Sequence, residues 1–435
     1  VTAAALLIAS PWILRAFLIT GNPVAPLFNR LFPNPYFHFS TERELAAALG
    51  SFAGFPPWRV VYEVIVGGGF NGALGPVFFA LPLGLLALRR PSGRLCCLAA
   101  ALLALPWFWN TGARFLMPSL PFLALALVMP LPRLALWACM ALQAVTCWPQ
   151  VIGLYHPAYT WRLQRIPLRA ALRLQPEIDY LAGTINEYRE ARLIEEHTLP
   201  GERVFALIPV ARAYTTREVL EYWHSAQADN LTAALRAALK PDAPLSGVKA
   251  EWTPQPLSGL RIRIPEASPV EWRVHDVLVF SGPRRLRPDP PWELHAWPNE
   301  WESPLAFDNN RATCWRTWEP VRPGMYVEAD FGRPQLVSGV LMTSPGAPSH
   351  VFEFYGRQGG PWHLLTRRPT IADQPLGDVR LSATRAVLAA GYRYILAYDG
   401  RGGHDALGSA LAGHAADWGL EPTAQLGATV LFRIK

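Results

Sequence analysis

The sequence predicts a multi-span α-helical membrane domain of about five helices, followed by an external α/β domain that a β-sandwich of jelly-roll type interrupts. Three observations carry this. Long apolar runs crowd the first 155 of the 435 residues. Charge divides with them: residues 1–155 hold nine Arg, three Glu and no Lys or Asp, whereas the remainder carries 31 basic and 30 acidic residues, so six of the seven net positive charges lie in the apolar part. Between about residues 260 and 375, short alternating runs replace the helix–strand rhythm found on either side.

A helix crosses the hydrocarbon core with about 20 mostly apolar residues. Val1–Ile19 meets this with Pro11 and Arg15 inside it, and Asn71–Leu88, Leu95–Trp109, Phe115–Leu131 and Leu134–Leu154 follow. Breakers or charges bound them: Arg89-Arg90-Pro91, Asn110-Thr111-Gly112 and Pro130-Leu131-Pro132-Arg133. The Arg residues are scattered at run ends, as in membrane proteins; with no basic patch carrying interleaved aromatics, a nucleic-acid surface is excluded. Arg89, Arg90, Arg94 and Arg133 fall in loops on one side, which the positive-inside rule makes cytoplasmic; the loop 20–70 and everything after about Tyr155 are then external. Val1 has no charged flank before it, which reads as a chain lacking its N-terminal part. Cys96, Cys97, Cys139 and Cys147 lie in apolar runs and Cys314 stands alone, a spacing that fits neither a metal site nor a disulfide framework.

The loop 20–70 opens with TGNPVAPLFNRLFPNPYFHF, rich in Pro, Asn and aromatics, and passes into ERELAAALGSF, which reads as a short amphipathic helix. Arg59 and Glu63, at i and i+4, are placed to pair on a further turn. Tyr36, Phe37, Phe39 and Trp58 suit a headgroup layer. GGGF at 67–70 lacks the strand–loop–helix context and the Lys of a phosphate loop, and reads as a flexible lead into the next helix.

Residues 156–185 form a basic, Pro-punctuated connector. INEYREARLIEEHTLPGERVFALIPV then reads as a helix, a Pro200-Gly201 turn and a strand over Val204–Ile208, and ARAYTTREVLEYWHSA as a second helix. ATRAVLAAGYRYILAY reads as helix, glycine turn and strand over Tyr392–Tyr398, and ATVLFRI as a last strand. This alternation predicts an α/β domain split between 186–250 and 376–435. In the insert, 260–375, LRIRIP, EWRVHDVLVF, MYVEADFG, LVSGVLM, FEFYG and WHLL alternate as sandwich strands.

Two stretches carry a family resemblance. SPWILRAFLITGNPVAPLFN (Ser10–Asn29) resembles a conserved-looking stretch of bacterial GT-C-type polytopic membrane glycosyltransferases, and ARFLMPSLPFLALAL (Ala113–Leu127) is similar to a later span of theirs. GALGPVFFALPLGLLALRR resembles the span between, and GYRYIL and LFRIK resemble strands of the small α/β domain in which such proteins often end. The resemblance makes residues 1–155 the C-terminal part of a GT-C-like core. It implies transfer of a sugar from a polyprenyl-phosphate carrier to a glycan or protein acceptor of the cell envelope. The place would be the bacterial inner membrane, crossed several times, with the C-terminal domain periplasmic or extracellular. The family's usual base is an Asp of the first external loop. Residues 1–155 contain no Asp, so the catalytic residue is unknown and its loop is expected outside this chain. Arg15 and Arg114, near the external ends of their spans, are candidates for the carrier phosphate. His38, Glu42 and Glu44 are candidates on the acceptor side. The sequon Asn230-Leu231-Thr232 is a chance match in a bacterial chain.

Within the insert, WESPLAFDNNRATCWRTWE, MYVEADFG, PQLVSGVLM and FEFYGRQGGPWHLL come in the order of the discoidin-like (coagulation-factor C-type) fold and resemble it over about 110 residues. Relatives of that fold are carbohydrate- or lipid-binding modules, and several hold calcium at an Asp-Gly-Asn turn. The resemblance makes Asp308 and Asn310, which occupy that turn, candidates for a divalent metal, while Asn309 in place of the Gly departs from the calcium-holding pattern. Trp318 and Arg322 are candidates for glycan contact, and Trp315 reads as core. The rival function is a non-catalytic, membrane-anchored carbohydrate-binding protein. A transporter would place ionisable residues at mid-membrane, whereas here they sit near run ends.

Overall fold

Proline and glycine decide how far the apolar runs stay helical. The fold is that of a computed structural model, which describes residues 2–50, 55–108, 111–156, 166–185, 187–223, 225–287, 292–399 and 406–435. Among the described residues, Pro91–Phe108 is the one helix long and apolar enough to cross a membrane, while Ala9–Thr20, Pro76–Arg89, Ala113–Val128 and Arg133–Thr146 are apolar helices of 10–17 residues. Arg133–Thr146 has 14 residues, and an α-helix of that length rises about 21 Å against a hydrocarbon core of about 30 Å. The expected domain of about five spans is therefore corrected to a single candidate span beside shorter apolar helices. The breaks have local causes. Gly21 adopts φ +73° after Thr20. Pro82 and Pro118 sit inside tightened 3-10 stretches, Pro76–Arg89 and Ala113–Ser119. Val1, the Trp109–Asn110 end of the third run and residues 157–165 of the connector lie outside the described residues.

The chain divides into two compact units, Val1–Glu42 with Ile178–Lys435, and Arg43–Glu177. Inside Arg43–Glu177 the helices meet through small residues. Gly84, Ala87, Gly93, Ala100 and Ala126 are buried, and Leu85, Leu95, Leu98, Leu102, Leu134 and Trp137 are exposed. A Cβ on Gly93 would stand 2.0 Å from the Ala87 carbonyl oxygen, so the turn joining Pro76–Arg89 to Pro91–Ala104 closes only around a glycine. Buried Glu63 accepts from Arg59 Nε at 2.7 Å and from the Gly69 amide at 3.1 Å. A Cβ on Gly67 or Gly69 would meet that carboxylate at 2.2 or 2.8 Å. The Gly-rich run thus wraps an internal acid.

In the other unit the strands are β1 (Arg203–Ala206), β2 (Glu218–Glu221), β3 (Pro244–Arg263), β4 (Ser268–Val274), β5 (Asp276–Ser281), β6 (Arg284–Arg285), β7 (Glu293–Trp297), β8 (Trp315–Val321), β9 (Tyr326–Ser344), β10 (Glu353–Arg357), β11 (His363–Thr366), β12 (Thr370–Pro375), β13 (Tyr394–Tyr398), β14 (Leu420–Leu426) and β15 (Thr429–Ile434). One sheet has the order β14-β15-β13-β1-β2, with β13, β1 and β2 parallel and β15 antiparallel to β13. Helices Ala226–Ala237 and Arg380–Ala389 pack over Phe205, Ile395 and Phe432, and helix Tyr188–His197 packs with Val204, Ala206 and Leu396. Alternate strand residues face opposite sides, so short apolar strands serve two cores. The segment read as a helix, ARAYTTREVLEYWHSA, forms instead a 3-10 turn over Arg212–Tyr214 and the strand β2. Glu195 accounts for this: its carboxylate accepts from Thr215 Oγ1, the Thr216 amide and Thr216 Oγ1, each at 2.8 Å, which holds the two threonines out of a helix.

The second sheet runs β11-β10-β3-β9-β5-β6, with β12 added on β3 and β7 on β9, and β4 pairs with β8 in a separate ladder. This arrangement is compatible with a β-sandwich. Its core holds Trp272, Trp315, Phe331, Phe352 and Phe354, all buried, with Trp272 edge-on to Trp315 at a centroid distance of 5.2 Å. MYVEADFG and LVSGVLM form one long strand, β9, whose pairing with β3 shifts register near Leu257–Gly259.

Candidate functional site

Three buried asparagines shape the loop that follows helix Thr2–Thr20. Asn22 Nδ2 donates to the Leu27 carbonyl at 2.8 Å and to Asn29 Oδ1 at 3.2 Å, and Asn34 Nδ2 donates to Asn29 Oδ1 at 3.0 Å. Asn34 Oδ1 accepts the Tyr36 and Phe37 amides. Glu42 Oε1 accepts the Asn29 amide at 2.5 Å, so Glu42 fastens this loop. Glu44 is exposed.

The loop delivers His38 into a buried cluster of the same unit. Its Nδ1 lies 3.1 Å from Asp229 Oδ2 and its Nε2 lies 2.5 Å from Glu302 Oε1. The ring stacks on Trp318, with centroids 3.8 Å apart and planes 17° apart. Glu302 also accepts from Asn230 Nδ2 at 2.6 Å, from Trp318 Nε1 at 3.1 Å and from Asn299 Nδ2. Burial alone would lower the His38 pKa, but the bonds to Asp229 and Glu302, with their charges, turn the shift upward. Burial would likewise raise Glu302, and the bonds from His38, Trp318 and Asn230 reverse it to a lowered value. Both ring nitrogens face carboxylates, so His38 is an imidazolium here and offers no lone pair as a base. The acceptor-side candidate His38 and the glycan-side candidate Trp318 are thus brought together, in a contact that buries both. Asn230, read as a chance sequon, spends its amide on Glu302. Arg322 pairs with Glu319 and lies 4.8 Å over the Trp297 ring.

At the turn predicted to hold a metal, Asp308 Oδ1 accepts the Asn310 amide at 2.8 Å and Oδ2 accepts from Thr313 Oγ1 at 2.6 Å, while Asn310 Nδ2 donates to the Ser382 carbonyl at 3.0 Å. Asn309 has φ +57°, the conformation a Gly would take there. Crowding around the Asp308 carboxyl raises its pKa to about 6 against the bond from Thr313, and the charge of Asp276 adds to the rise. Asp276 is itself raised, first by burial, with Arg285 opposing. Among the described residues no group of three or more His, Cys, Asp or Glu is placed to hold a metal ion. Asp308 is hydrogen-bonded within the turn, and Asn310 joins it to the Ser382 carbonyl.

The pocket with the most distinctive chemistry lies in Arg43–Glu177. Phe70–Leu74 and Gly112–Phe115, with Met117 and Leu120, enclose about 200 Å³. The Ala113 amide donates to the Phe70 carbonyl at 2.9 Å and closes its floor. Gln143 Nε2 donates to the Leu74 carbonyl at 2.7 Å and braces its rim. Arg114 is exposed at this pocket with its guanidinium 4.9 Å from the Phe115 ring, and it has no carboxylate partner among the described residues. Arg15, the other phosphate candidate, is exposed on helix Thr2–Thr20 of the other unit. Phe70, Asn71, Asp229 and Glu302 were not singled out by the sequence, because their partners lie tens to hundreds of residues away.

Comparison of the chain with family models, with curated proteins and with solved structures finds no match.

Proposed function

We propose that the chain is the lipid-carrier-holding part of a glycosyltransferase that uses a polyprenyl-phosphate sugar at a bacterial plasma membrane. The observation that carries this is the pocket of Arg43–Glu177, which combines apolar walls (Phe70, Leu74, Phe115, Met117, Leu120) with one unpaired guanidinium, Arg114. That pairing of chemistries fits an amphiphile with an anionic head: the guanidinium takes the phosphate, and the aromatic and aliphatic walls take the first isoprene units. The exposed leucines of the same unit supply the surface that lipid would wet. The unit's buried acid, Glu63, is occupied by Arg59 and Gly69, so the group that deprotonates the acceptor is sought outside this pocket.

The test is equilibrium binding of a short-chain polyprenyl phosphate to the full chain in lipid nanodiscs. Arg114→Ala is expected to weaken binding roughly ten- to hundredfold, the worth of one charge-assisted hydrogen bond. Arg133→Ala, which removes an exposed charge away from the pocket, is the control. Equal affinities for wild type and Arg114→Ala overturn the reading.

A further inference from the structure

We propose that His38 is a proton-operated clasp: the loop from Gly21 to Ser40 stays docked on the α/β layer and the sandwich while the ring carries its second proton, and lifts when that proton leaves. The clasp is assembled from three parts of the chain that are far apart in sequence. Asp229 and Asn230 come from the first turns of helix Ala226–Ala237, Glu302 and Asn299 from the turn before β8, and Trp318 from β8 itself. The Tyr36 carbonyl of the docked segment accepts the Ala226 amide of this helix at 2.8 Å.

The geometry requires the second proton. A neutral imidazole has one N–H and one lone pair. With carboxylate oxygens at 3.1 and 2.5 Å from its two nitrogens, a neutral ring would aim its lone pair at an anion inside a desolvated site. Among the described residues, the charged and titratable groups seen to face it are Asp229, Glu302 and, across Trp318, Arg316. The Arg316 guanidinium lies 3.8 Å from the Trp318 centroid, and since His38 stacks at the same distance, the two cations occupy opposite faces of the indole. Arg316 is already paired with Glu271 at 2.7 Å, so among the described residues the cation paired with the two acids around His38 is the ring itself. Loss of that charge leaves the buried Glu302 with Asn230, Asn299 and Trp318 as donors, beside the half-buried Asp229.

His38 is raised above 6.5 in the fold, so its contribution is fully present below the unfolded value and is lost as pH rises through the folded one. Glu302 is lowered below 4.5, so its contribution is present above the unfolded value and is lost as pH falls through the folded one. The loop is held between those limits and released on the alkaline side. Its own Asn22–Asn29–Asn34 network does not titrate, so the loop lifts as a folded piece.

The Ala226 amide reads this directly. It is the first amide of its helix, a position without an intrahelical acceptor, so its protection comes from Tyr36. Hydrogen exchange of the full chain, corrected for the intrinsic rate, is followed from about pH 6 to about pH 9, with the Leu396 amide of β13 as an internal reference. Ala226 protection is expected to fall about tenfold per pH unit above the His38 transition, while Leu396 stays level. In His38→Gln the Ala226 amide is expected to be unprotected at every pH. In Asp229→Asn the step moves to lower pH, and this variant together with the wild-type titration decides the matter even where His38→Gln does not fold. A flat Ala226 profile in the wild type, or an unmoved step in either variant, overturns the proposal.

Discussion

In the sandwich, Trp272, Trp315, Phe331, Phe352 and Phe354 are inside; in Arg43–Glu177 Gly84, Ala87, Gly93, Ala100 and Ala126 are buried where the helices meet, Phe70 and Leu127 are buried beside them, and many Leu, Trp and Met are exposed. Large aromatics fill the sandwich core, whereas in Arg43–Glu177 small residues take a larger share of the buried helix contacts and many large apolar side chains stay outside. In water, burying a large side chain removes the most apolar area and dominates stability. Where the surroundings are themselves apolar, that gain disappears, and close backbone approach through small residues is what remains. The difference teaches that hydropathy alone does not locate a core.

The largest expected effect tests the first half of this contrast. Trp315→Ala should destabilise the full chain by about 3–5 kcal/mol in denaturant titration, the usual cost of deleting a buried aromatic. Leu98→Ala, at an exposed position, should cost under about 0.5 kcal/mol in detergent. Similar losses at the two positions would break the comparison. Next comes Glu302→Ala, which strands His38, Asn230 and the Trp318 indole N–H; roughly 3 kcal/mol should be lost, measured the same way. Gly93→Ala sharpens the second half. Its Cβ would collide with the Ala87 carbonyl, so thermal unfolding in detergent should show a loss of about 1–3 kcal/mol, with no such loss at Gly183→Ala, where no atom stands within 4 Å.

Two smaller effects concern pH. Asp308, raised to about 6 from 3.8, contributes stability that is complete below about 3.8 and disappears as pH rises through about 6; Asp308→Asn should flatten that part of the melting-temperature profile. Glu195, lowered to about 2 first by Thr216, acts in the opposite sense. Its contribution is present above 4.5 and is lost as pH falls towards about 2, and Glu195→Gln should remove this acid limb. A profile unchanged by either substitution would show that these carboxyls are solvated in the fold.

Much of the strand architecture was legible from period alone. The strand read over Tyr392–Tyr398 forms as Tyr394–Tyr398, and ATVLFRI forms as Thr429–Ile434, because alternation and a preceding glycine are local signals. ARAYTTREVLEYWHSA was misread because its helical spacing is overruled by Glu195, about 20 residues upstream. Composition alone gives five apolar runs of spanning length, whereas Pro82, Pro118 and Gly21 set how far each helix persists. Arg114 was found by residue type, but its pocket required Phe70–Leu74 to fold against Gly112–Phe115.

The sequence by itself determined where chain stretches extend, which residues alternate into the sheets, and how charge is partitioned between the apolar and polar parts. These depend on neighbours within a few positions. Only the tertiary structure decided that His38 is held between Asp229 and Glu302, across 191 and 264 residues, and that Gly84, Ala87, Gly93, Ala100 and Ala126 are buried in Arg43–Glu177 while many of its leucines are exposed. A side chain's protonation, partner and burial are set by groups that approach through space, and their sequence separation leaves no periodic trace.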